Sequence, residues 1–147
     1  MERAGDDLAG GDARTLSFAA YRIDGTLLDR LLEYQRSLLD ALRPGWNAAD
    51  MAAAHARALA TSGLGPEVVE RALAVLRRFA GNRDVTARLR ERLTVLPPDG
   101  SGDLQDRLGA LERELRERDD PDTIALLEQR EPEVVELHRQ LARLLGA

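Results

Sequence analysis

Residues 55–73 read HARALATSGLGPEVVERAL. The stretch has the outline of a helix, a short glycine turn and a second helix. Two structures share that outline: a DNA-reading helix-turn-helix and a plain corner in a helical bundle. A DNA-reading helix presents its first residues to base edges and its flanks to phosphates. Here that helix would open on Gly65, Pro66 and Glu67, with Glu70 one turn later. Acidic groups repel the phosphate backbone that supplies most DNA affinity. Only Arg71 is well placed, and the preceding helix contributes Arg57 alone. The expectation is a bundle corner, and sequence-specific DNA is disfavoured as a partner.

Composition extends this to the whole chain. The 147 residues include 26 Leu and 22 Ala against 15 Val, Ile and Thr together. Leu and Ala keep their side-chain freedom in a helix, whereas β-branched residues lose it. An all-α chain follows. Its length suits one domain with a sizeable core. Aromatic residues make up only 3%, so Leu and Ala must fill that core.

Helix signals recur at regular intervals. Gly5, Gly10 and Gly11 among acids mark residues 1–15 as an arm, with residues 16–147 as one helical-bundle domain. The first firm helix starts at Thr26, with Asp29 at capping-box spacing. Leu28, Leu31, Leu32, Leu38, Leu39 and Leu42 form its stripe, and Pro44-Gly45 stop it. Asn47, with Asp50 three residues on, caps the second helix, which Gly63 ends. Pro66 opens the third, with Val69, Leu73, Leu76 and Ala80 as its stripe. Gly81-Asn82 interrupts this pattern, and Val85 lies half a turn out of phase with Leu76. A break or kink is expected near residues 81–84, followed by a shorter helix on Val85, Leu89, Leu93 and Leu96.

PPDGSG at 97–102 is a linker. Beyond it, residues 103–146 are expected to form an antiparallel helical hairpin. Leu104, Leu108, Leu111 and Leu115 make one seam; Leu127, Val134 and Leu141, with Leu137 and Leu144, make the other. Asp120 caps the return and Pro121 occupies its first position. The heptad phase continues across Pro132, which predicts one helix kinked there. The expected whole is an all-α bundle of five to six helices. Leu28, Leu31, Leu38, Leu73, Leu76, Leu111, Leu127 and Leu141 should share its core, and the hairpin offers a surface for homo-oligomerisation.

Charge is uneven. Every basic residue is Arg, 21 in all, and the net charge is −5. Residues 51–100 carry 8 Arg against 5 acids, and residues 101–147 carry 7 Arg against 12 acids. RRFAGNRDVTARLRER at 77–92 concentrates Arg77, Arg78, Arg83, Arg88, Arg90 and Arg92 against Asp84 and Glu91. Such a stripe could hold RNA or a lipid headgroup. It lacks the aromatic platforms of single-strand binders, since Phe79 belongs to the core stripe. Docking on the acidic C-terminal helices is the other use of the same charge. Trp46, in the turn RPGWNAAD, is either a cap on the core or a protein-interface anchor, with Arg43 and Tyr34 as neighbours of that patch.

Catalytic and metal-binding patterns are thin. The chain has no Cys, which excludes disulfides, thiolate metal sites and a Cys nucleophile. The two histidines, His55 and His138, lack the Glu-x-x-His spacing of di-iron bundles: Ala52 and Val135 stand where the Glu would be. The four serines form no nucleophile elbow, and GLGPEV lacks the Lys of a phosphate loop. No catalytic residue, cofactor or metal is assigned, and the expectation is not an enzyme. The N-terminus has no apolar signal region and no run reaches a membrane span. The chain as written is expected in the cytoplasm, or in the periplasm or envelope if an upstream signal was removed.

The order LLEYQRSLLDAL at 31–42, HARALATSGLGPEVVERAL at 55–73, a basic helix, and EPEVVELHRQLARLL at 131–145 resembles uncharacterised all-helical envelope proteins and lipoproteins of high-GC Gram-negative bacteria. The resemblance spans about residues 26–145. It implies an envelope setting and carries over no site residue, and this chain has no Cys to lipidate. The function expected from the whole is a non-catalytic helical module binding another protein. The alternative is an Arg-mediated binder of an anionic ligand.

Overall fold

The computed structural model describes residues 21–96 and 102–146. The 1–15 arm and most of the 97–102 linker lie outside them. Six helices are present among the described residues: α1 (Gly25–Ala41), α2 (Ala48–Ser62), α3 (Pro66–Val95), α4 (Gly102–Arg118), α5 (Pro121–Gln129) and α6 (Glu131–Leu145). The chain is all-α.

α1 begins one step before the expected cap. Asp24, in extended backbone, takes the Leu27 N–H on its carboxylate at 2.8 Å, so Thr26 lies inside the helix. Two residues with capping side chains stand close together, and the earlier one captures the orphan donor. α2 starts on the expected capping box: Asn47 Oδ1 accepts from Asp50 N at 2.8 Å, and Asp50 Oδ2 accepts from Asn47 N at 3.0 Å. It ends at Gly63, whose φ of 72° suits a residue without a side chain. Ala54 and Ala58 are buried, and these small residues let α2 lie close along α1.

The expected break at 81–84 is absent. α3 runs unbroken for 30 residues, about 45 Å at the helical rise. Its buried stripe passes from Phe79 and Ala80 to Thr86 and Leu89. Thr86, seven residues after Phe79, keeps the phase, while Val85 sits half-buried on the flank. The Thr86 hydroxyl donates to Arg83 O at 3.0 Å, so a polar residue can continue an apolar stripe. Gly81 weakens the helix by about 1 kcal/mol relative to Ala, too little to break a helix packed on both flanks.

Those flanks are α4 and α6, and this revises the C-terminal hairpin. The principal neighbour of α4 is α3, whereas α6 packs on α1 and α3. The antiparallel partner of α4 is therefore the second half of α3: Arg78 meets Asp119 and Arg90 meets Glu112. With a neighbour on one side only, α4 buries Leu115 fully and leaves Leu104, Leu108 and Leu111 half-buried. Leu111 is thus outside the core expected for it. The other seven named leucines are buried.

The expected single helix kinked at Pro132 is two helices. The chain breaks at Arg130 (φ −113°, ψ 20°), whose N–H turns back to Leu127 O at 3.1 Å. Pro132 becomes the second residue of α6, where its missing N–H is harmless. The apolar phase survives, because Leu127 and Val134 are both buried. Asp120 caps α5 as expected, accepting from Thr123 N at 3.0 Å. Thr123 in turn accepts the Ile23 N–H at 2.9 Å, which ties the lead-in of α1 to α5. The buried apolar cluster draws on α1, α2, α3, α5 and α6, with Leu115 from α4.

Candidate functional site

α3 presents the arginines that the sequence singled out, and four of the six meet acids. Arg78 donates to Asp119 at 2.6 Å. Arg83 reaches Glu128 at 2.5 Å and Glu131 at 3.4 Å. Arg90 meets Glu112 at 2.8 Å. Arg88 pairs with Asp84 of its own helix at 2.6 Å, and Arg139 of α6 takes the other oxygen of Asp84 at 3.0 Å. Arg77 and Arg92 are exposed and have no ion-pair partner among the described residues. Three of the six arginines thus meet acids from the chain beyond residue 101, Arg88 meets one of its own helix, and two meet none among the described residues. A second lattice ties α6 back to α1: Arg130 bridges Asp29 and Glu133, and Arg36 also pairs with Glu133.

The helical spacing also builds a cleft that the sequence did not flag. Arg78, Gly81, Asn82 and Val85 lie on one face of α3, and Leu111, Glu114, Leu115 and Arg118 on one face of α4. With Asp119 they enclose about 220 Å³. The Asp119 side chain is 1% exposed and its Arg78 partner 32%. Asn82 Nδ2 donates to Leu111 O at 2.8 Å, pinning α4 to α3. Three atoms of this group have no hydrogen-bond partner: Asp119 Oδ2, Arg78 Nε and Asn82 Oδ1. The signal available in the sequence is Gly81-Asn82, whose composition and spacing predict a break instead.

The α2–α3 corner places Glu67 and Glu70 in solvent at the start of α3. The Arg71 guanidinium lies 4.9 Å from the ring centre of Tyr21, a cation–π contact. Trp46 is half-buried against the core and its Nε1–H donates to Leu144 O at 2.9 Å, closing the end of α1 onto the end of α6. His55 shares a 2.6 Å hydrogen bond with the Tyr34 hydroxyl, their rings edge-on. Burial raises the Tyr34 hydroxyl above its ordinary pKa, and Arg77 opposes that shift. Burial holds His138 below the ordinary histidine range; Asp84 pulls it back up, and Arg77 and Arg139 push it further down. No cluster of three metal-ligating side chains occurs among the described residues. No described helix is long and apolar enough to cross a membrane.

No family model, curated protein or solved structure matches the chain.

Proposed function

We propose that this chain is a non-catalytic helical module that binds another protein. The observation that carries this reading is the pairing of Arg78, Arg83, Arg88 and Arg90 with acids of the same chain. A stripe so engaged offers an anion little uncompensated charge. The surface that remains mixes both signs and leaves apolar side chains in water at the end of α3, with Val95 80% exposed beside Leu96. Trp46 adds a half-buried aromatic edge of the kind that anchors protein interfaces. The resemblance to helical envelope proteins favours a partner in the bacterial envelope.

The rival is an Arg-mediated binder of RNA or a lipid headgroup, for which Arg77 and Arg92 would supply the uncompensated charge. Exposed ion pairs contribute about 0–1 kcal/mol each. Arg88→Gln/Arg90→Gln should therefore barely change thermal stability. It should retain any protein captured by mild crosslinking in the native host. Neither wild type nor variant should bind RNA or anionic liposomes tightly across a salt titration. Tight, salt-sensitive binding that the double variant abolishes at unchanged stability would replace this reading with the anionic one.

A further inference from the structure

We propose that the hollow where α6 meets α3, lined by Asp84, Arg88, His138, Arg139, Ala142 and Arg143, binds a soluble phosphate monoester. The site is separate from the protein-binding surface above. Of the 77–92 stripe only Arg88 lines it alongside Asp84; the other cations come from α6.

The first observation is the balance of charge. Three guanidinium groups face one carboxylate around a space of about 300 Å³. Asp84 neutralises one charge and holds two of the cations. Its Oδ2 accepts from Arg88 Nη2 at 2.6 Å. Its Oδ1 meets Arg139 Nε and Nη2, each at 3.0 Å. The third cation, Arg143, reaches Glu136 at 3.8 Å. That carboxylate lies outside the lining and also accepts from Gln140 at 2.9 Å. Arg77, which has no ion-pair partner among the described residues, adds its positive field at His138.

The second observation is the surplus of donors. The Asp84 side chain is 15% exposed, and each of its oxygens already accepts from a guanidinium. A guanidinium has five N–H groups, so Arg88 and Arg139 keep donors beyond those that Asp84 takes. The Arg88 and Arg143 side chains are 71% and 72% exposed and can swing onto a ligand. His138 is half-buried and makes no hydrogen bond to a described residue. Burial keeps its ring neutral near pH 7, and a neutral ring still offers one N–H.

The third observation selects among anions. Three Arg less one Asp leave the lining with a surplus of two positive charges. A phosphodiester or a carboxylate brings one negative charge, whereas a phosphate monoester brings about 1.5 to 2 near pH 7. Its terminal oxygens accept from several sides, and guanidinium groups grip such oxygens strongly. Here the donors converge from α3 and α6 together, and Ala142 leaves room between them. RNA is a diester, so this preference agrees with the weak RNA binding expected above.

The test is an NMR titration of the ¹⁵N-labelled chain at fixed ionic strength with phenyl phosphate, dimethyl phosphate and acetate. Phenyl phosphate should give saturable shifts at the Asp84, Arg88, His138, Arg139 and Arg143 amides. Dimethyl phosphate and acetate should bind weaker by about tenfold or more. Arg139→Gln/Arg143→Gln should weaken phenyl phosphate binding by about tenfold or more, and so should Ala142→Leu, which fills the hollow at unchanged charge. Arg107→Gln/Arg116→Gln removes the same charge from the exposed side of α4 and should leave binding within about twofold. Absence of saturable phenyl phosphate shifts, equal binding of the three probes, or an equal loss in the two arginine double variants would overturn the proposal. Phosphatidic acid in phosphatidylcholine vesicles presents the same monoester on a membrane and should not retain the chain. Retention that Arg139→Gln/Arg143→Gln abolishes would overturn the soluble ligand in favour of a lipid headgroup.

Discussion

Replacing Arg78 with Met should destabilise the protein by about 3 kcal/mol or more, because it strands a carboxylate that water cannot reach. The Asp119 side chain is 1% exposed, and Arg78 is the one hydrogen-bonding partner of its carboxylate among the described residues. Removing one member of a buried pair costs roughly 3–5 kcal/mol, mostly as the penalty of the unpaired charge. The reverse change should cost less. In Asp119→Ala the guanidinium, 32% exposed, can turn toward water, and a loss of about 1 kcal/mol is expected. The double variant Arg78→Met/Asp119→Ala should recover much of the single loss. Urea unfolding of the four proteins measures this directly. Equal, small losses in both single variants would show that the pair is solvated.

Phe79→Ala should have an effect of similar size from a different cause. Phe79 is fully buried on α3, at the point where the stripe passes from the α1 side of the bundle toward Thr86 and Leu89. Truncating a buried Phe costs roughly 3–5 kcal/mol through lost transfer energy and the cavity left behind. The Arg83 guanidinium, 5.2 Å from its ring centre, loses that face as well. For a chain of this size the melting temperature should fall by roughly 10 °C. A fall of only a degree or two would mean that neighbouring side chains collapse into the space, and that the core at this point is loosely packed.

The parts of this fold legible in the sequence are those decided within one turn of helix. Asn47 with Asp50, Gly63, Asp120 and Pro121 each act on orphan backbone groups beside them, and each does so in the structure. Asp24 and Thr26 compete within two residues, so the start of α1 was misplaced by a step. Gly81-Asn82 misled for a longer-range reason. Whether a weak point breaks a helix depends on what packs beside it, and residues 78–85 are held by α4 on one flank and by α5 and α6 on the other. Pro132 has the same lesson with the opposite outcome. Its local cost was relieved by a break at Arg130, and the apolar phase persisted across it. Leu111 was assigned to the core by spacing alone, and spacing does not say on how many sides a helix has neighbours.

The candidate site divides likewise. The Arg88–Asp84 pair is four residues apart on one helix and follows from spacing. The partners of Arg78, Arg83 and Arg90 lie 22 to 48 residues downstream. Their sign was visible in the acidic C-terminal third, but their pairing depends on the topology. The cleft depends on it entirely, because half of its wall belongs to a helix that sequence alone had paired elsewhere.

Backbone chemical shifts and amide exchange across Phe79–Leu89 test the central claim most directly. That claim is that one unbroken α3 holds α4 and α6 on its flanks and so engages its arginines within the fold. Uninterrupted helical ¹³Cα shifts through Gly81, Asn82, Arg83 and Asp84, with protected amides on both sides, are the predicted result. Coil-like shifts and fast exchange confined to residues 81–84 would contradict it, since a hinge there would separate the two halves of the stripe and dissolve the cleft with them.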